Sequence, residues 1–235
     1  MRLATFNVLA DAYTSYGDYS HATPELMQPG NRLEYLTHQI NHLDVDVIGL
    51  QEADKSIVEV FEDDKNWQSF WTPKGRNKPD GCLTLVKSTL EVADHESQLY
   101  NDGSGHVFQV TRVGGIAVAN THIKWAREDD SHHIGVAQTQ ELLNALDDQQ
   151  AAVILADCNG RPGGRVQTMV EKAGFTNLSG ERPTAIVNGE LVALDLLAIR
   201  GLRGTLVHSE YDLHAIPNET CASDHIPLVA AVSIQ

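Results

Sequence analysis

Cysteine is scarce in this 235-residue chain, and the three present, Cys82, Cys158 and Cys221, lie far apart with no CxxC pair. Neither a disulfide framework nor a thiolate zinc site fits that spacing, and reduced cysteines of a cytoplasmic protein are the expectation. Long apolar runs are missing too. The longest are strand-sized, such as Leu228 to Val232, too short for a helix that spans a bilayer. The opening residues MRLATFNVLADAY show neither the apolar core nor the cleavage pattern of a secretory signal. A soluble, cytoplasmic protein without membrane insertion is expected.

Positive charge is the third shortage. Lys and Arg number 17 against 32 Asp and Glu, a formal net charge of -15. Long-range attraction to a polyanion is therefore opposed, and a nucleic-acid substrate would have to be held by local contacts. No Gly/Ser-rich or Pro-rich linker, low-complexity segment or solenoid-length repeat divides the chain. With 42% hydrophobic content, residues 1–235 can bury a sizeable core and are expected to form one catalytic-sized domain. Nothing signals an obligate protein partner.

What is there is an alternation of short strands and helices. Arg2 to Leu9 and Val45 to Leu50 read as strands, and Leu33, Leu36, Ile40 and Leu43 between them fall at helical spacing. Cys82 to Lys87, His106 to Val113 and Gly115 to His122 read as further strands, the last two joined in a hairpin at Gly114 and Gly115. A helix is expected from about His133 to Leu146, a buried strand over Ala151 to Asp157, and a short helix over Val166 to Ala173. Leu191 to Arg200, Gly204 to Ser209 and the segment from Ile226 onward complete the strands. This order, with antiparallel pairing in mid-chain, describes an α/β fold of mixed strand directions.

The polar residues of interest share one address, the end of an apolar strand. Asn7 interrupts the first, Glu52 ends the second, and His122 ends the fifth. Asp157 and Asn159 follow VILA, Asp195 sits within LVALDLLAI, and Asp224 and His225 precede IPLV. Strand ends that meet at one sheet edge are where ligands gather. Taken singly, most have plain structural explanations: Glu52 a turn, Asn7 a backbone satisfier, His122 a hydrogen-bonded strand end, Asp157 and Asn159 an Asx turn. Asp195 is harder to dismiss, because an acid amid Leu and Ala is costly to bury without a partner.

Taken together, FNVLAD, IGLQEAD, NTHIKW, ADCNG, LDLLAI and ASDHIPL resemble the endonuclease/exonuclease/phosphatase family, in family order and across essentially the whole chain. FNVLADAY, DGCLTLVK and the AQTQELL helix after NTHIKW are most similar to the branch of CCR4, nocturnin, Angel and PDE12. Two positions depart from the family pattern: Ala156 stands where a glycine is usual, and Cys158 separates Asp157 from Asn159.

The resemblance implies a DNase I-like, four-layered α/β sandwich of two mixed β-sheets flanked by helices. It implies a Mg²⁺-dependent phosphoesterase, with Mn²⁺ as a substitute, acting on RNA ends or small nucleotides. Glu52 would be the principal metal ligand, with Asn7 and Asp224 completing or adjoining that site. Asp157 would deprotonate the attacking water, Asn159 and His122 would hold the phosphate, and His225, oriented by Asp195, would donate to a phosphate oxygen. Substrate contacts beyond these are open. Lys74, Arg76 and Lys78 lie in Trp71 to Gly81, either a solvated basic loop or a phosphate-backbone contact. Trp125 either stacks on a base or packs on the following helix. Arg161 and Arg165 would border the cleft, while His132 and His133 read as surface residues. A 2′,3′-cyclic or terminal phosphate phosphatase, a phospholipid head-group phosphoesterase and a non-catalytic binding module are the alternatives.

Overall fold

Residues 1–187, 189–207 and 211–234 are described by the computed structural model. In chain order the elements are β1 (Arg2–Asn7), a 3-10 turn at Asp11–Tyr13, α1 (Arg32–His42), β2 (Val47–Asp54), α2 (Lys55–Glu62), β3 (Trp67–Pro73) and β4 (Asp80–Lys87). Then come β5 (Val92–Leu99), β6 (Val107–Val113), β7 (Ile116–His122), α3 (Ile134–Ala145), β8 (Ala152–Asp157), α4 (Arg165–Lys172) and β9 (Thr176–Asn177). The chain ends with β10 (Ala185–Val187), β11 (Glu190–Val192), β12 (Asp195–Arg200), β13 (Leu202–Val207) and β14 (Leu228–Ile234).

Two six-stranded sheets run in the orders β13-β14-β1-β2-β4-β3 and β5-β6-β7-β8-β12-β9, and β10 and β11 form a separate hairpin. Each large sheet holds one parallel pair, β1 with β2 and β7 with β8. Each such pair needs a crossover helix, supplied by α1 and α3 respectively. The outcome is the expected DNase I-like sandwich, with both sheets inside and helices outside.

Three apolar clusters fill the layers. Leu36, Ile40, Ile57 and Phe61 from α1 and α2 meet Ile48, Leu50 and Leu83 of the first sheet. Leu142, Leu146, Val166 and Val170 from α3 and α4 meet Val110, Ile154 and Leu196 of the second. Between the sheets, Leu3, Val47 and Val86 pack with Val118, Val153 and Leu197. Strands covered on both faces must be apolar at successive positions, which is why β1, β2, β7, β8 and β12 were legible as continuous apolar runs.

Toward the strand ends that carry Asn7, Glu52 and His122, the space between the sheets holds a polar network instead. Gln51 Nε2 donates to Asn120 Oδ1 at 2.8 Å and to Thr5 Oγ1 at 3.0 Å, and Thr84 Oγ1 donates to Gln109 Oε1 at 2.7 Å. Gly49 makes room for it: a Cβ there would lie 2.9 Å from the Asn120 amide carbon.

Several sequence expectations shift. Leu191 to Arg200 is not one strand: Val192 ends β11, and a break at Ala193 and Leu194 lets β12 begin on Asp195. Both ends of Trp71 to Gly81 belong to β3 and β4, leaving a short turn at 74–79. The last strand begins at Leu228 rather than Ile226, because His225 bridges to Ala185 instead of joining the sheet. Gly204 to Ser209 is strand through Val207, and His208 and Ser209 lie outside the described residues. α2 and the edge strands β3 and β5 were not anticipated. The helix is short, capped by Asp54, whose carboxylate accepts from Ser56 N at 3.1 Å and Ile57 N at 3.3 Å.

Candidate active site

Strand pairing alone assembles half of the site. Asp195 stands opposite Asp157 in the antiparallel pair and His122 opposite Asp157 in the parallel pair, so three strands present these residues in one row. On the facing sheet Asn7 is opposite Gln51. Glu52 follows in a β-bulge: Leu50 pairs with Leu83 and Ala53 with Gly81, so Gln51 and Glu52 oppose Cys82 alone. Its φ of 56° is left-handed, a conformation that costs a non-glycine residue about 1–3 kcal/mol. The bulge leaves its carboxylate 3.8 Å from His122 Nδ1 on the other sheet.

Asn7 ties the two acids together. Its Nδ2 donates to Asp157 Oδ2 at 2.8 Å and to Glu52 Oε1 at 3.2 Å, while its Oδ1 accepts from Leu9 N at 2.9 Å. The amide therefore faces the carboxylates with its nitrogen, as a donor. Ala10 N donates to Glu52 Oε2 at 3.2 Å, and Asn159 N to Asp157 Oδ1 at 3.0 Å. Burial pushes the Glu52 carboxyl up to about 7; the Lys74 charge works against this, and Asp224 and Asp157 add to it. Burial raises the Asp157 carboxyl as well, opposed by His225 and reinforced by Asp195.

The SDH sequence is fastened to β1 by its serine. Ser223 Oγ donates to Asn7 O at 2.7 Å and accepts from His225 N at 3.2 Å. His225 Nδ1 lies 2.7 Å from Asp195 Oδ2, and Nε2 lies 3.9 Å from Asp157 Oδ2. Burial opposes a charge on this ring, yet Asp195, Asp157 and Asp224 together hold its pKa well above the usual imidazole range. The protonated ring donates from both nitrogens. Among the described residues Asp195 Oδ1 is buried without a hydrogen-bond partner, and the carboxylate's hydrogen bond is to the histidine.

His122 is the opposite case. Burial and the Lys74 charge press its pKa well below the ordinary value. Lys74 Nζ stands 3.2 Å from its Nδ1 and Asn159 Nδ2 stands 3.0 Å from its Nε2. Both neighbours are donors, whereas a neutral imidazole offers one accepting nitrogen. An anionic oxygen entering between these groups would supply the missing acceptor.

Of the three basic residues read as one loop, only Lys74 reaches this cluster. It is buried and paired at 2.5 Å with Asp80. Arg76 is exposed and Lys78 half-buried at the margin, where burial and the Lys74 charge lower the Lys78 amine. Trp125 is 63% exposed. His132 is exposed, but His133 is buried as the N-cap of α3, its Nδ1 accepting from Val136 N at 3.2 Å. Arg161 and Arg165 sit on the surface, engaged with Glu190 and with the Asp130 carbonyl.

Four residues at the site were missed by sequence reading. Tyr13 donates to Asp80 Oδ1 and Tyr19 to Asp224 Oδ2, each at 2.7 Å. Arg32 is fully buried, donating to Val8 O at 3.0 Å, Ala222 O at 2.7 Å, Asp11 Oδ1 at 2.7 Å and the Leu9 carbonyl. It holds together the loops after Asn7 and before Asp224. One signal was available: Arg32 lies four residues before Leu36, on the buried stripe of α1. The fourth, Asp80, gave none beyond its place before GC.

The ligand atoms of Glu52, His122 and Asp157 lie within 4.8 Å of one another, as do those of Asp157, Asp195 and His225, so either group could hold a metal ion. Asp224 adjoins Glu52 electrostatically but belongs to neither group.

Residues 4–225 match the model of the Endonuclease/Exonuclease/phosphatase family. The chain belongs to that family. Its members are hydrolytic enzymes, and this chain is one of them. Among solved structures it is similar to ANGEL2, described as a 2′,3′-cyclic phosphatase, at 16% identity over 99% of this chain and 94% of that one, with a TM-score of 0.83. The human nocturnin catalytic domain with bound sulfate follows at 17% identity, 100% and 93% coverage, and 0.73. Truncated TDP2 of Caenorhabditis elegans gives 16% identity, 97% and 95% coverage, and 0.66. ANGEL2 and nocturnin are members of the branch that the FNVLADAY and NTHIKW motifs resemble. No curated protein matches the chain significantly by sequence. Among the described residues, no helix is long and apolar enough to cross a membrane.

Proposed function

We propose that residues 1–235 form one catalytic domain that hydrolyses phosphodiester or terminal phosphate ester bonds at RNA ends or in small nucleotides, with Mg²⁺ as resident ion, Mn²⁺ as a substitute and the cytoplasm as its location. The observation that carries this is the pairing of Asp195 with His225 beside Asp157, across a gap from Glu52. The donor set fits a divalent cation. Glu52, Asp157 and Asp224 gather three carboxylates; burial pushes the Glu52 carboxyl up to about 7, and the charges of Asp224 and Asp157 add to it against that of Lys74. Carboxylate oxygens suit Mg²⁺. Glu52 would be the principal ligand, with Asp224 and Asn7 adjoining. When bound, the ion neutralises charge on the phosphate oxygens and on the leaving oxygen.

The side chains divide the remaining work. Asp157, fixed by Asn7 and by the Asn159 amide, accepts the proton of the attacking water, and its raised pKa suits a base working near neutrality. His225 donates from Nε2 to a non-bridging oxygen, and Asp195 keeps that nitrogen aimed. Lys74, His122 and Asn159 meet the phosphate from the opposite side as donors.

A second reading, opening of a terminal 2′,3′-cyclic phosphate, is favoured by the likeness to ANGEL2, whose complex with adenosine-2′,3′-vanadate aligns with 98% of this chain at a TM-score of 0.82. A pure binding module would have no use for a raised carboxyl beside a protonated histidine. Matched single-stranded RNA with 3′-hydroxyl or 2′,3′-cyclic ends, duplex DNA and phospholipid substrates should be compared at equal Mg²⁺ and salt. RNA ends are expected to turn over at least about tenfold faster than duplex DNA, because unstacked bases can enter a cleft. Preference for duplex DNA, or activity confined to phospholipid, would overturn the RNA assignment and leave the phosphoesterase standing.

A further inference from the structure

A cleft of about 720 Å³ opens beside Glu52 and Asp224, between the segment from Tyr13 to His21 and the β10–β11 hairpin. That volume suits a small ligand. The segment is pinned at both ends by hydroxyls: Tyr13 on Asp80 and Tyr19 on Asp224. Gly17 permits the second contact, since a Cβ there would fall 2.4 Å from the Tyr19 ring. Between these anchors stands Tyr16, tilted against Tyr13 with ring centroids 5.9 Å apart. Tyr16 is 82% exposed, and its hydroxyl makes no hydrogen bond among the described residues.

The charge of the cleft narrows its occupant. Asp18, Glu52 and Asp224 line it, Ile186 and Val187 give an apolar wall, and no lysine or arginine is among its described lining residues. Lys74 does not line it; its ammonium lies against His122. A further phosphate is disfavoured in such a cleft, whereas an uncharged planar group can lie on the tyrosine and against the apolar wall.

We propose that this cleft is a nucleobase site in which Tyr16 stacks on the base of the nucleotide whose phosphate occupies the catalytic cluster. The proposal rests on the phosphoesterase reading and names the part of the substrate read on the Asp224 side. Tyr16 then sets specificity for nucleotides over other phosphate esters and contributes little to turnover itself.

Equilibrium binding separates this from catalysis. Adenosine 5′-monophosphate and ribose 5-phosphate, which differ by the base, are titrated calorimetrically in Mg²⁺ into wild type, Tyr16→Ala and Tyr16→Phe. The nucleotide is expected to bind wild type about tenfold more tightly than the sugar phosphate, the size of one base–aromatic stack. Tyr16→Ala should remove most of that difference and Tyr16→Phe should keep it. Equal affinity of both probes for wild type, or equal weakening of both by Tyr16→Ala, would overturn the base site. Neither result depends on turnover, so loss of the base site and loss of the phosphoesterase reading are separately visible.

Discussion

Glu52→Gln is expected to cut turnover by at least about 10²–10³-fold, as removal of a principal charge-stabilising group does, and to make the metal-free protein more stable at pH 8. The carboxyl is raised from 4.5 to about 7 in the folded chain. A group that binds its proton more tightly folded than unfolded favours folding at low pH, and that advantage is lost as pH rises between the two values. Above pH 7 the ionised carboxylate therefore destabilises the metal-free fold, by at most about 3.5 kcal/mol at roughly 1.4 kcal/mol per pKa unit. Glutamine keeps the shape and carries no charge. Thermal melts of both proteins at pH 4 and pH 8 in EDTA test this: the melting temperatures should converge at pH 4 and separate at pH 8 with the variant higher. Added Mg²⁺ should then raise the wild type and leave the variant unmoved.

Asp195→Asn should lower turnover by about 10²–10⁴-fold, the usual range for a proton donor or acceptor put out of place, with a much smaller change in substrate affinity. The carboxylate accepts from His225 Nδ1 at 2.7 Å and helps hold that ring protonated. With an amide there the histidine loses a charge partner and its pKa falls, so the alkaline limb of the rate profile should move to lower pH. Stability should respond with the same sign. The raised histidine pKa contributes stability that is present below the ordinary imidazole value and lost as pH rises through the folded one. A variant with unchanged turnover and weakened binding would show that Asp195 holds structure rather than the donor.

Much of this site was legible because acids at apolar strand ends are costly and rarely idle. Asp195 within LDLLAI and the Asp-His pair before IPLV stood out on that ground alone, and the fold brings Asp195 and His225 together beside Asp157. The conformation of Glu52 was not legible. A β-bulge depends on the register between β2 and β4, and nothing in IGLQEAD marks a positive φ. Tyr13 and Tyr19 were silent for a related reason: their partners lie 67 and 205 residues away, and a tyrosine in a polar loop carries no local sign of them. Lys74 was placed in the right neighbourhood for an incomplete reason. It sits at the start of a turn, but the partner that buries it, Asp80, lies at the start of β4. The edge strands β3 and β5 escaped because partly exposed strands alternate with polar residues and resemble loops when read by apolar content.

The most direct single measurement is the initial rate on single-stranded RNA ending in a 2′,3′-cyclic phosphate, or on a matched phosphodiester, as Mg²⁺ is returned to protein stripped with EDTA. The expected result is background hydrolysis in EDTA and a saturable return of activity with Mg²⁺ in the wild type that Asp157→Asn does not show. Near-full turnover in EDTA, or equal recovery by Asp157→Asn, would contradict a metal-dependent phosphoesterase built on Glu52 and Asp157.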